Sequence, residues 1–325
     1  MIDAYNPGME MSAAEKAEYT TERRGLLISA VTCLVVGCVA FVFVYLSSSQ
    51  AILLDGVFNI IYFLTGLFTL RIARLLREPG DEEFPFGFAY FEPLINGIKG
   101  ALVLGMSLIA LAGAAEAAAS GGREIEAGAA VGYAVFATVA CWSAFLGVRH
   151  VSKRTNSPLL RADAANWMVN GAVSTAVLLA FLSMYLIHAL GADHLLPYVD
   201  PVLVIALVVV TISVPARQAW RALMEMLNRA PSVKVRERIK AVVESCIRDL
   251  PVEQVFVRVV QPGRMRYVSA HVVLPRDFEP AGLLAQDEIR ERIWDALQKD
   301  MPGTILDVVF TADARWGPDA DQLKR

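Results

Sequence analysis

Residues 26–47 read LLISAVTCLVVGCVAFVFVYLS, a run of 22 residues without a single charge. A helix rises about 1.5 Å per residue and the hydrocarbon core of a bilayer is about 30 Å thick, so roughly 20 apolar residues cross it. A soluble helix of this length would carry a polar face; this run has none. It reads as a membrane span. Five more such runs follow outward along the chain, at about Ala51–Leu70, Gly87–Ala115, Ala127–Val148, Leu160–Leu190 and Pro201–Met226. The second holds one acid, Asp55; the third holds Glu92 and Lys99; the fourth has no charge.

Composition agrees with lipid as the solvent. Of 325 residues 55% are hydrophobic, against the 45–50% usual for soluble domains, and the mean hydropathy is +0.47. Charged residues make up 19% and gather in residues 1–24, in short loops and after Arg217. A net charge of −3 leaves no basic footprint, so no nucleic-acid partner is expected. The four cysteines (Cys33, Cys38, Cys141, Cys246) form no CxxC pair, and three lie in apolar runs, which suits small buried thiols. Residues 1–24, with Asp3, Glu10, Glu15 and Glu18, lack the basic start and apolar run of a secretory signal and read as a cytoplasmic tail.

Loop charges set the expected orientation, because Lys and Arg favour the cytoplasmic side. Arg23 and Arg24 precede the first span, and Arg71, Arg74 and Arg77 follow the second. His150, Lys153, Arg154 and Arg161 surround the loop between the fourth and fifth, and Arg217, Arg221 and Arg229 close the sixth. The opposite loops, Ser47–Gln50, Ser120–Glu126 and Gly191–Asp200, carry Arg123 alone of these two types. Both termini are therefore expected in the cytoplasm, with the chain in the plasma membrane (the inner membrane of a Gram-negative cell).

After Pro231 the periodicity changes. Val235, Ile239, Val242, Val243 and Cys246 recur at helical spacing. Val255, Val257 and Val259 alternate, a Pro262-Gly263 turn follows, and Val268, Ala270, Val272 and Leu274 alternate again, as in a hairpin. Ile289, Ile293, Ala296 and Leu297 mark a second helix, and Ile305–Thr311 a third strand. The expected fold class is thus an α-helical membrane protein of six transmembrane helices with a C-terminal cytoplasmic α+β domain of order αββαβ. The divisions are a tail at 1–24, the six-helix domain at 25–230, the αββαβ domain at 231–312 and a tail at 313–325. So small a core gains from packing against a second copy, so a homodimer is expected.

Ionisable groups at membrane depth cost at least about 2.5–3.5 kcal/mol on insertion scales, which makes each a functional candidate. Asp55 and Asn59 are four apart and share a helical face; Asn166 and Asn170 repeat the spacing in the fifth span. Two such pairs facing each other converge four oxygen ligands on one ion. The structural alternative is that the asparagines hydrogen-bond between helices. Glu92, Asn96 and Lys99 form a second polar stripe. Counted from Gly87, Lys99 lies about 18 Å along the third span, which makes snorkelling to the surface difficult. It calls for a carboxylate, Glu92 or Asp55, either as a structural pair or in a coupling role with a cation at Asp55.

Several segments taken together resemble the cation diffusion facilitator family, exporters of zinc and related divalent metals. Leu53-Leu54-Asp55-Gly56-Val57-Phe58-Asn59 resembles its second-span motif, where two aspartates four apart bind metal. Phe84-Pro85-Phe86-Gly87-Phe88-Ala89-Tyr90-Phe91-Glu92 resembles its His-Pro-Phe-Gly-His loop, and Arg161-Ala162-Asp163-Ala164-Ala165-Asn166, running on to Asn170, its Ala-Asp motif. Asp200-Pro201 and Leu227-Asn228-Arg229-Ala230-Pro231 resemble the start and end of its last span. The resemblance implies a transport site at Asp55, Asn59, Asn166 and Asn170, with one carboxylate and three amides where the family carries three carboxylates and a His or a fourth carboxylate. Zn²⁺ prefers imidazole, thiolate or carboxylate, whereas amide and carboxylate oxygens suit harder ions. Both loop histidines are replaced, by Phe84 and Phe88, and in the tail only His271 stands near a position where the family places a metal-binding His. The charges that link protomers in some members stand here as Tyr90 and Asn228, so that interlock is expected to be absent.

The function expected is secondary export of a small inorganic cation, Mn²⁺ or Mg²⁺ before Zn²⁺, by proton exchange, with no cofactor. Two alternatives are a relative that no longer transports and acts as a sensor or assembly partner, and a carrier for another solute that uses Lys99. An enzyme is not expected: no nucleophile–base pair, phosphate loop or metalloprotease motif is present.

Overall fold

A computed structural model describes residues 13–75, 83–84, 87–155, 158–263, 265–278 and 282–316. The start of the N-terminal tail, the end of the C-terminal tail, Arg77, Pro85 and Phe86 lie outside the described residues. The chain divides into two compact units, Met1–Pro79 with Ile95–Ala219, and Gly80–Leu94 with Trp220–Arg325.

The first unit is helical. It contains α1 (Ala13–Ser47), α2 (Gln50–Leu75), α4 (Ala127–Thr155), α5 (Pro158–Ala189) and α6 (Val199–Thr211), with most of α3 (Phe91–Ala119) and the first half of α7 (Ser213–Met226). Six stretches are long and apolar enough to cross a membrane: Arg23–Ser47, Gln50–Phe68, Phe91–Ala119, Ala127–Lys153, Asp163–Ala189 and Asp193–Met226. All six expected spans are present, and their ends shift for local reasons. α1 reaches back to Ala13 because Ala13, Ala14, Lys16 and Ala17 are strong helix formers, whatever their hydropathy. α3 starts at Phe91, four residues later than expected, because Gly87 adopts φ 72° and breaks the run. The sixth span divides at Ile212, where Pro215 offers no N–H to the carbonyl of Thr211.

The helices pack through small residues. Ala40, Ala51, Ala110, Ala114, Ala130, Ala134 and Ala137 surround Ile52, Tyr133, Phe181 and Val204 in one core, at the end of the bundle away from the termini. A second core, of Cys33, Cys141, Phe145, Val148, Leu160, Ala164 and Trp167, lies nearer the terminal end. The outward faces carry Ile109, Val139, Leu146, Leu179 and Val210, exposed as lipid-facing residues are. At Gly56 an added Cβ would stand 2.7 Å from that of Ala40, so α1 and α2 approach closely beside Asp55.

The second unit contains α8 (Val233–Cys246), β1 (Gln254–Val260), β2 (Arg266–Val273), α9 (Leu283–Asp300) and β3 (Thr304–Thr311), in the expected αββαβ order. β1 and β2 form the expected antiparallel hairpin, with Val259 opposite Val268. β3 pairs parallel to β2, and α9 supplies the crossover such pairing needs. Val268, Ala270 and Val272 meet Ile239 and Val243 of α8 and Ile293 and Leu297 of α9 in one core. Arg238 of α8 forms a forked ion pair with Asp300 at the end of α9, and Arg292 bonds both oxygens of Asp249 at 3.1 and 3.0 Å. These partners hold the Asp300 and Asp249 carboxyls below their ordinary range, and hydrogen bonds from Arg315 bring Asp313 down to about 2.

Candidate transport site

The second span carries the site because of its period. Asp55 and Asn59 are one helical turn apart, so their side chains rise on the same face of α2. Asn59 donates from Nδ2 to the Asp55 backbone carbonyl at 2.9 Å and to its Oδ1 at 3.2 Å. The amide nitrogen is thereby used on the helix itself, and the amide oxygen is left as the coordinating atom. Tyr133 of α4 donates its hydroxyl to the other carboxylate oxygen, Oδ2. Tyr133 is buried, and its ring lies against Phe43 with centroids 5.9 Å apart. Each oxygen of Asp55 thus has one donor, and each keeps a lone pair.

Asn166 and Asn170 lie on a shared face of α5, the first exposed and the second half-buried. Among the described residues neither hydrogen-bonds to Asp55 or Asn59. α2 packs mainly on α1 and α6, and α5 mainly on α4. The structure therefore joins Asp55 with Asn59 by a hydrogen bond within α2. The α5 face is longer than the asparagine spacing suggests: Asp163, Asn166, Asn170 and the buried Ser174 follow one another at helical intervals.

Glu92, Asn96 and Lys99, the expected stripe, all stand on α3. Asn96 is exposed. Glu92 belongs to the second unit, where its carboxyl would meet a Cβ on Gly263 at 2.6 Å. With α3 starting at Phe91, Lys99 lies only about 12 Å along the helix. Its ammonium sits 4.3 Å from the centre of the Tyr62 ring, a cation–π contact in place of an expected acid.

Sequence reasoning missed Tyr133 and Tyr62 as members of these clusters. The available signal was a tyrosine in each of two apolar spans, since a buried phenol needs a partner for its hydroxyl. It also missed what Asp200 does. This fully buried carboxylate accepts from Ser49 Oγ at 2.5 Å, the Gln50 N–H at 3.0 Å and the Ala51 N–H at 3.2 Å. Arg123 reaches it at 3.7 Å and bonds the Gln50 side chain at 2.8 Å. A negative group on the first N–H groups of α2 is where a helix dipole favours one.

His271 is half-buried on β2, and its Nδ1 has no hydrogen-bond partner. Among the described residues no three His, Cys, Asp or Glu side chains gather to hold a metal ion. Tyr90 and Asn228, expected to have lost the charged interlock, meet within one chain: the Tyr90 hydroxyl donates to Asn228 Oδ1. Asn228 stands at φ 57° just after α7, a left-handed position that Asn tolerates better than most residues.

Six apolar helices with polar groups turned inward define a polytopic membrane protein of the transporter type. The model of the cation efflux transmembrane domain matches residues 26–227, so the chain belongs to the cation efflux family. The family resemblance read from the motifs is thereby shown, with cation transport as its general activity. No curated protein matches the chain at a significant level.

Proposed function

We propose that the protein exports a hard divalent cation, Mn²⁺ or Mg²⁺ before Zn²⁺, by exchange for protons. The observation that carries this reading is Asp55: a carboxylate inside the membrane, oriented from both sides by Asn59 and Tyr133 yet keeping free lone pairs. One carboxylate among amide oxygens suits an ion that accepts neutral oxygen ligands, and it is a poor match for the nitrogen and sulfur preference of zinc. Asn166 and Asn170 supply the remaining ligands once α5 moves towards α2, the kind of helix shift that alternating access requires. In this reading both termini are cytoplasmic, the membrane is the plasma membrane, and the chain works as a homodimer without a cofactor.

The test is a flux screen in proteoliposomes with an imposed pH gradient, comparing Mn²⁺, Mg²⁺, Zn²⁺ and Na⁺. The expected result is gradient-driven Mn²⁺ or Mg²⁺ movement that exceeds Zn²⁺. Binding of a cation without flux would favour a sensor instead.

A further inference from the structure

The outward face of α4 carries a pattern that the transport site does not use. Val135, Val139, Trp142, Leu146, Arg149 and Lys153 follow one another at steps of three and four, so they form one stripe along the helix. All six are exposed. Ala130, Ala137, Cys141, Ala144 and Val148 are buried on the opposite side, where α4 packs on α1 and α5. The stripe changes character once: its first four members are apolar and its last two are basic. By helical rise Arg149 lies about 33 Å from Ala127, just past a hydrocarbon layer of about 30 Å. The basic end is therefore at headgroup depth, at the end of the bundle where Val151 packs with Leu26.

That basic end is held in place. Trp142 Nε1 donates to Thr175 Oγ1 of α5 at 3.2 Å, and a Cβ on Gly171 would stand 3.0 Å from the indole. Trp142 meets Phe145 edge to face, with ring centroids 5.7 Å apart. The Arg149 guanidinium in turn lies 5.5 Å from the centre of the Phe145 ring. Stacking of this kind occupies a face of the guanidinium and leaves its N–H fork free. Lys153 follows one turn further on, and His150 is exposed beside Arg149. α4 contains no Asp or Glu, and among the described residues neither the Arg149 nor the Lys153 side chain has an ion pair or a hydrogen bond.

We propose that this end of α4 binds an anionic phospholipid, with its phosphate on Arg149 and Lys153 and an acyl chain along Leu146, Val139 and Val135. The site is separate from Asp55 and stands whichever cation the protein carries. Arg149 offers the phosphate a fork of parallel N–H bonds, and Lys153 adds a point charge. Two uncompensated cations one turn apart attract an anionic headgroup over a neutral one. The apolar part of the stripe sets them at the depth of headgroup phosphates, so the occupant is a lipid and not a free anion.

The test is native mass spectrometry of the full-length protein in neutral detergent, titrated with phosphatidylglycerol and, separately, with phosphatidylcholine. The parent is expected to bind the first phosphatidylglycerol about tenfold more tightly or better, and Arg149→Gln/Lys153→Gln to lose that preference. Arg149→Lys keeps the charge without the fork and should retain only part of it. Lys234→Gln/Arg248→Gln removes two exposed charges from the soluble domain and should leave the preference intact. No preference in the parent, a preference that survives the Arg149/Lys153 pair, or an equal loss in the Lys234/Arg248 pair overturns the site. Displacement of the lipid by an equal concentration of inorganic phosphate also overturns it, since that marks a plain anion site. If the Arg149/Lys153 pair does not fold, Lys153→Gln and Arg149→Lys decide singly: each should lose part of the preference, and parent-like binding by both overturns the proposal.

Discussion

Two carboxylates in the membrane domain stand at the same helix, α2, and are treated in opposite ways. Asp200 meets the first turn of α2 and is saturated: a hydroxyl, two backbone N–H groups and a guanidinium all point at it. Asp55, one and a half turns further along α2, has one donor on each oxygen and is only half-buried. A carboxylate whose lone pairs are all used holds structure together and has nothing left for an ion. One that is oriented but not saturated can hold a passing cation and release it. Charge alone does not separate structural from functional acids here; burial and the count of partners do.

The contrast can be broken most severely at Asp200. Asp200→Ala leaves two N–H groups, a hydroxyl and Arg123 without their acceptor, and is expected to cost about 3–5 kcal/mol, read as a large fall in the thermal midpoint in detergent. Arg123→Gln should cost about 1–2 kcal/mol, because Arg123 is partly exposed and the other donors to Asp200 remain. Tyr133→Phe removes one of two donors from a half-buried acid, where water can substitute. Its stability cost is expected at about 1 kcal/mol or less, while Mn²⁺ flux should fall severalfold through loss of orientation. The smallest effect concerns acid pH. Asp313 is held at about 2, against an ordinary 3.8, by Arg315. A depressed carboxyl stabilises the fold above its ordinary value, and that contribution disappears as pH falls from about 4 towards 2. Because the pair is exposed, a pH melt of the parent and Arg315→Gln should differ little, and the difference should close as pH falls to about 2.

The six spans and the αββαβ order were legible because each rests on a period within one segment. Lipid demands about 20 apolar residues, and strands and helices repeat every two and every 3.6. The Asp55–Asn59 bond was legible for the same reason, being one turn of one helix. Partnerships between helices were not. Nothing in the spacing of α4 places the Tyr133 hydroxyl on Asp55, and nothing in α3 sends Lys99 to Tyr62 rather than to Glu92. Helix ends moved where backbone chemistry overrode hydropathy, as at Gly87, where a left-handed φ delayed the start of α3 to Phe91.

The most direct test of the central claim is Mn²⁺ flux through Asp55→Ala in proteoliposomes, beside the parent and with folding checked by thermal melting. Asp55 is expected to carry the cation and little of the fold, so flux should fall to the level of empty liposomes while the melting midpoint stays near that of the parent. Parent-like flux from a folded Asp55→Ala protein would contradict the account.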